Sequence, residues 1–147
     1  MKLKTLLSIL LLNLALLFGA MPGKDSVTIT VTIDGFRNRQ GMCRLLVFEN
    51  KKGFPDSKEY ATLMLSKSIN KEIVEFSFTI APGNYAIAIL HDENSNETMD
   101  KTWYGKPKEG LGASKNPKSG FGPPKFDECA VNLNESNNHI KIKLIYI

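Results

Sequence analysis

The chain has 147 residues, of which 42% are hydrophobic and 23% are charged, and its formal net charge is +4 at pH 7. This length suffices for one hydrophobic core and is short for two ordinary domains. The weak positive charge is scattered, with no basic cluster interleaved with aromatic residues, which argues against nucleic acid or an anionic membrane as the partner.

The N-terminal residues 1–20 have the layout of a secretory signal peptide. Two lysines precede an apolar run over residues 6–18, and the small residues Gly19 and Ala20 follow it. The run is shorter than the roughly 20 residues of a membrane-spanning helix. We therefore predict a secreted or periplasmic protein that has one domain over residues 21–147 and no transmembrane segment after signal removal. An uncleaved N-terminal anchor is the alternative.

The first two predicted strands cover residues 27–33 and 42–48. Residues 27–33 alternate strictly between β-branched apolar residues and threonine. The connection between the two strands is short and contains Gly35 and Gly41, which predicts an antiparallel hairpin.

The middle of the chain predicts a second hairpin. The pattern of residues 58–65 is ambiguous, and we interpret it as a helical turn followed by a short edge strand. Residues 72–80 alternate again, and a Pro-Gly turn leads into residues 85–90, a continuous apolar run typical of a central strand buried on both faces.

The pattern then stops over residues 93–125, a stretch rich in glycine, proline and aromatic residues that predicts one long ordered flap. Residues 126–133 and 140–147 alternate as two further strands. Six to seven strands and no helical period predict an all-β fold, an antiparallel two-sheet sandwich of the immunoglobulin-like or transthyretin-like kind.

The two cysteines, Cys43 and Cys129, both point inward if the predicted alternation holds. Export would place them where disulfides persist, so a bridge across the core is one expectation. Two buried, unpaired thiols are the other.

A loop rich in side-chain oxygens leaves the end of the central strand. Oxygen-bearing residues recur there at every second position, namely Asp92, Asn94, Asn96, Thr98 and Asp100. This spacing is typical of Ca²⁺ loops and predicts a structural Ca²⁺ as the one cofactor. Glu97 stands where an EF-hand has its turn glycine, and Trp103 where it has the bidentate glutamate. The alternative is a turn whose polar side chains bond to their own backbone.

Four residues around this loop are candidate binding residues: His91, Trp103, Tyr104 and Glu109. His91 is a candidate catalytic residue of a hydrolase, with Asp92 or Glu109 as its partner. The alternative, which the pattern favours, is a histidine at a strand end that is bonded to a loop carbonyl. Trp103 and Tyr104 either form a platform for a sugar or peptide or, as favoured, anchor the flap on the sheet.

Several short elements resemble one family along the whole chain after residue 20. They are residues 34–36 (D-G-F), 82–88 (P-G-N-Y-A-I-A), 91–94 (H-D-E-N), 105–110 (G-K-P-K-E-G) and 121–126 (F-G-P-P-K-F). This set is similar to the exported bacterial family called domain of unknown function two-one-four-one. Its members usually have glycine inside the oxygen-rich loop of residues 92–100, here called the acidic loop, where this chain has Ser95 and Glu97. More distantly, the chain is similar to transthyretin-like and carboxypeptidase regulatory-like sandwiches. The resemblance implies the fold and export and brings no known activity.

These observations together predict a non-enzymatic binding or accessory domain whose partner is a protein, glycan or small molecule. A small hydrolase using His91 and a structural component of a surface assembly are the alternatives.

Overall fold

The computed structural model describes residues 26–118 and 122–147, so the predicted signal peptide at residues 1–20 lies outside the described residues. Eight strands form two sheets in this part of the chain: β1 (Val27–Asp34), β2 (Met42–Phe48), β3 (Leu63–Ser68), β4 (Val74–Ile80), β5 (Gly83–Asp92), β6 (Gly110–Ala113), β7 (Val131–Leu133) and β8 (His139–Lys143). One sheet has the order β4-β1-β8, and the other has the order β3-β2-β5-β6 with β7 paired to β5. The predicted all-β two-sheet sandwich is confirmed.

The core lies between the sheets and is built from alternate residues of the strands. Strand β1 contributes Ile29, Val31 and Ile33, all fully buried. From the facing sheet, β2 and β5 contribute residues of equal burial, among them Leu45 and Ile87. Residues 85–92 of β5 are buried without interruption, which confirms the prediction of a central strand covered on both faces.

Both predicted hairpins were wrong. Strand β1 pairs with β4 in antiparallel and with β8 in parallel orientation, while β2 pairs with β3 and β5. The connections after β1 and after β4 therefore cross from one sheet to the other. Alternation and turn residues are the same for a hairpin and for such a crossing, so the sequence pattern does not distinguish the two.

The ambiguous segment has the expected form, because a 3₁₀ helix at Lys58–Tyr60 precedes the edge strand β3. The flap, in contrast, is not free of strands, since β6 pairs with β5 within it. Its sequence G-L-G-A shows no apolar alternation because glycine is needed for close packing. A Cβ added at Gly110 would lie 2.5 Å from the ring of Tyr146.

Residues 126–133 are not one strand. Phe126–Cys129 form a single helical turn, α1, and only Val131–Leu133 are extended. The turn is closed at its start by a hydrogen bond from the Lys125 N–H to the Glu128 carboxylate, at 3.1 Å. This turn removes Cys129 from the alternation on which the disulfide prediction depended.

The predicted disulfide between Cys43 and Cys129 is not formed, because both residues are free, buried thiols. Cys43 lies in the core between the sheets, whereas Cys129 packs with Ala86 and Ala113 on the outer face of the five-stranded sheet. Burial raises the pKa of Cys43 to about 12 and that of Cys129 to about 11. Both are therefore unreactive small apolar groups, as in the alternative interpretation.

Candidate functional site

The carboxylate of Asp92 organises the loop at the end of β5. It is fully buried and accepts a hydrogen bond from Arg44 Nε at 2.5 Å. The backbone N–H groups of Asn96 and Glu97 donate to its two oxygens at 3.1 and 3.0 Å. Both carboxylate oxygens thus have protein donors, and a guanidinium supplies the positive charge.

The remaining oxygens of the predicted Ca²⁺ ring bond within the loop. Asn94 Nδ2 and Asn96 Nδ2 donate to the Asp100 carboxylate, the former at 2.6 Å. Asn96 Oδ1 accepts from both the backbone N–H and the hydroxyl of Thr98. This pattern is the self-bonded turn of the alternative interpretation.

In this arrangement the ring does not fit Ca²⁺, which requires free oxygen ligands. The Asp92 oxygens are occupied, and two of the amide side chains turn a nitrogen toward Asp100. Among the described residues, no group of three or more His, Cys, Asp or Glu side chains is placed to hold a metal ion.

Two residues of the loop adopt a backbone conformation that favours glycine. Ser95 has φ of 59° and Glu97 has φ of 65°. These are the two positions at which the resembling family usually has glycine. The loop therefore keeps the conformation of a glycine-containing turn although neither residue is glycine.

We expect Ser95→Gly to raise the free energy of unfolding by about 0.5–1 kcal/mol. A non-glycine residue in the left-handed region costs about 1–2 kcal/mol, part of which the greater freedom of glycine in the unfolded chain offsets. Urea unfolding measures the change. The matched control is Ser136→Gly, an exposed loop position without positive φ, which should not gain stability. An equal gain in both variants would contradict the explanation.

His91 lies at the end of β5 with its side chain fully buried. Its Nε2 donates to the carbonyl oxygen of Gln40 at 2.8 Å, and its Nδ1 accepts from the Tyr146 hydroxyl at 2.7 Å. Burial raises the pKa of Tyr146, which keeps the hydroxyl protonated as a donor. Neither Asp92 nor Glu109 hydrogen-bonds to the ring. His91 is bonded to a loop carbonyl, as the sequence favoured, and both of its ring nitrogens have protein partners.

The side chain of Glu109 hydrogen-bonds to the backbone at both ends of the acidic loop. Its carboxylate is buried and accepts from the backbone N–H of Glu93 at 3.0 Å and from that of Asp100 at 3.2 Å. Burial raises the pKa of the Glu109 carboxyl, although these two hydrogen bonds oppose the shift. The Glu93 carboxylate in turn accepts two hydrogen bonds from Arg37, which lower its pKa. The predicted binding residue Glu109 thus holds both ends of this loop by main-chain hydrogen bonds, and its role in binding stays a prediction.

Trp103 and Tyr104 form the tip of a small hairpin over residues 100–108, here called the aromatic hairpin. Its two sides are joined by the bridge between Lys101 and Pro107 and by hydrogen bonds such as Thr102 N–H to Lys106 O at 2.7 Å. Trp103 is 95% exposed and Tyr104 is 62% exposed. The favoured interpretation, that these rings anchor the flap on the sheet, was wrong.

A groove of about 900 Å³ lies on the outer face of the five-stranded sheet. Its floor is made by neighbouring residues of four strands. One row of paired residues is Met64, Leu46, Ala88 and Ala113, and the next is Arg44, Leu90 and Leu111. The alanines make the floor concave, and the aromatic hairpin and residues 116–118 contribute to the walls.

Sequence reasoning missed this groove, although β5 carries a signal. Its small residues Ala86 and Ala88 alternate with Ile87 and Ile89, which fill the core. Small side chains on one face of a buried strand indicate a close neighbour or a hollow. Ala86 has close neighbours, because Phe54 and Phe126 pack against its cluster. Ala88 instead borders the hollow, since it lines the groove.

The groove is positively charged and holds one buried arginine. Seven basic and three acidic side chains line it. Arg44 donates through Nε and Nη1 to Asp92 and Ser66, and its Nη1 also lies 3.6 Å from the Glu97 carboxylate, while its Nη2 donates to no described residue. The side chains of Lys106 and Lys143, unlike that of Arg44, have no acidic partner among the described residues. An anionic group in the groove would meet donors that the protein does not already use.

Comparison with known proteins identifies a family and nothing closer. The family model described as "Uncharacterized protein conserved in bacteria (DUF2141)" matches residues 31–141. Neither the curated proteins nor the solved structures gave a match. The similarity to transthyretin-like sandwiches stays a prediction. No helix in the described part of the chain is long and apolar enough to cross a membrane.

Proposed function

The chain belongs to the family of uncharacterized bacterial proteins that matches residues 31–141, and from that premise we propose that it is an exported, non-enzymatic binding domain. Its ligand site is the groove on the outer face of the five-stranded sheet, and its ligand is a small amphiphile with one anionic group. The apolar, concave and cationic groove is the observation that carries this proposal.

The shape and lining of the groove support a ligand with an apolar body. Binding sites for small molecules are concave, of about 300–1,000 Å³, and mostly apolar with a few placed polar groups. Leu46, Leu90 and Leu111 supply the apolar floor here, and the volume is within that range. A ligand lying there would bury its chain against side chains that are already held in place by strand pairing.

The charge of the groove supports an anionic group on the ligand. The guanidinium of Arg44 is oriented by Asp92 and Ser66, so its remaining nitrogen is preorganised for an oxyanion. The partly buried setting strengthens such a contact compared with one in bulk water. The residues predicted for export, 1–20, support a ligand met outside the cytoplasm.

Dodecanoate and the neutral alcohol of the same chain length form the test pair. We expect dodecanoate to bind in isothermal titration calorimetry at least about tenfold more tightly than the alcohol, since only the carboxylate uses the cationic groups. Binding should also raise the melting temperature, because a ligand of the native state adds RT ln(1 + [L]/Kd) to stability.

A matched pair of variants locates the site. Met64 lines the groove and is 46% exposed, whereas Ile73 is 55% exposed and lies outside it. Met64→Glu should weaken dodecanoate binding about tenfold, because it places a negative charge at the groove. Ile73→Glu should leave it unchanged. Equal binding of acid and alcohol, or no response to Met64→Glu, would contradict the proposal.

A further inference from the structure

The aromatic hairpin contributes Tyr104 and Lys106 to one wall of the groove, but the residue at its tip, Trp103, lies outside the groove. Trp103 projects almost completely into solvent and does not line the groove. A tryptophan this exposed is unusual, because burial of an aromatic side chain stabilises a fold strongly. The ring therefore contributes little to the fold, and its position calls for another partner.

The lysines of the same hairpin indicate the chemistry of that partner. Residues 101–108 read K-T-W-Y-G-K-P-K, with Lys101, Lys106 and Lys108, and Asp100 at the base is the one acidic residue of the hairpin. All three lysines are exposed, and only Lys101 has an acidic partner, Asp56 at 3.3 Å. Two aromatic rings at a tip with cations on both flanks match the interface of an anionic bilayer. Trp and Tyr concentrate there, and each nearby lysine gains about 1 kcal/mol from acidic lipids.

The geometry of the two rings argues against a sugar platform. The ring planes of Trp103 and Tyr104 meet at 84° with centroids 5.2 Å apart. They do not present one flat face on which a pyranose could stack. A T-shaped pair at a tip instead presents an edge and a face that enter the headgroup region of a bilayer together.

We propose that the aromatic hairpin docks this protein on anionic phospholipid surfaces, with the Trp103 and Tyr104 rings in the headgroup region and the three lysines near the lipid phosphates. The weak net charge and the scatter of basic residues argued against such a partner, but residues 101–108 do interleave three lysines with two aromatic residues. The attraction proposed here is local, because the charges of residues 101–108 lie on one projecting element. It requires no ligand in the groove.

The chain provides its own reporter, because Trp103 is the one tryptophan of the sequence. The protein to use is residues 21–147, which includes every strand and apolar cluster described above and lacks the apolar run at 6–18. Vesicles of equimolar phosphatidylglycerol and phosphatidylcholine should shift the Trp103 emission to the blue, and brominated lipids should quench it. Vesicles of phosphatidylcholine alone, or high salt, should weaken both effects.

Variants separate the rings from the charges. Co-sedimentation should show that Trp103→Ala loses most of the vesicle binding. Lys106→Gln with Lys108→Gln should weaken the partition about fivefold for each lysine at low salt. The control with equal loss of charge is Lys51→Gln with Lys71→Gln, two exposed lysines outside the hairpin, and it should bind more tightly than the hairpin pair.

Three results would overturn the proposal: no emission shift with phosphatidylglycerol vesicles, binding unchanged in Trp103→Ala, or equal weakening by both lysine pairs. An emission shift with soluble oligosaccharide and none with vesicles would assign the rings to a glycan instead. Met64→Glu should leave vesicle binding intact, so failure of the groove proposal and failure of this one are distinguishable.

Discussion

Asp92→Ala is expected to lower the free energy of unfolding by about 3–5 kcal/mol. The substitution leaves the guanidinium of Arg44 without its buried counter-ion, and removing one partner of a buried ion pair costs about that much. It also leaves the backbone N–H groups of Asn96 and Glu97 without their acceptor. Urea unfolding followed by circular dichroism measures the loss.

Asp100→Ala is the matched control, because Asp100 belongs to the same predicted ring. It is only partly buried and accepts hydrogen bonds from the side chains of Asn94 and Asn96, which can turn to water when it is removed. We expect a loss of about 1 kcal/mol or less. The difference between the two aspartates follows from the arginine, which only Asp92 contacts.

A Ca²⁺ ring would give a different result. Both aspartates would then matter to a similar extent, and only when the ion is present. Thermal unfolding with excess EDTA and with millimolar Ca²⁺ should show the same midpoint for the unmodified chain. The opposite result would be an unfolding midpoint that rises with Ca²⁺ in the unmodified chain and does not rise in Asp100→Ala. That result would contradict the arginine-paired turn and support a Ca²⁺ site in this loop.

The acidic loop shows why its chemistry could not be predicted from its own residues. The spacing of Asp92, Asn94 and Asn96 is the same in a cation site and in a self-bonded turn, since both need oxygens at alternate positions. The deciding group is Arg44, which comes from a different strand, 48 residues away along the chain. Only the register of β2 against β5, in which Arg44 faces Leu90, brings it there.

The strands themselves were predictable because burial of one face leaves a period of two in the sequence. That period says which residues of β1 face the core, and it does not say which strand lies beside β1. Partner choice depends on the whole set of strands, including the parallel contact with β8, so both predicted hairpins failed. Strand β6 was not predicted because its glycines serve close packing, Gly110 against Tyr146 and Gly112 against Ile142, and leave no apolar alternation in the sequence.

The other large effect is expected at Gly41, in the connection that carries the chain from β1 to β2. Its φ is +70°, and a Cβ built there would lie 1.9 Å from the carbonyl oxygen of Asp92 and 2.7 Å from the backbone of Glu93. The obstacle is main chain, which cannot rotate away. The neighbouring Gln40 holds His91 through its carbonyl, so any shift of this connection also disturbs that buried hydrogen bond.

We expect Gly41→Ala to lower the free energy of unfolding by about 3 kcal/mol or more, from the positive φ and the steric overlap together. Gly105→Ala separates the two causes. Gly105 has φ of +86°, and a Cβ there would meet nothing within 4 Å, so its variant should lose only about 1 kcal/mol. Urea unfolding of both variants measures the difference, which is the cost of displacing the end of β5. Equal losses would show that the connection moves freely and that the end of β5 does not depend on it.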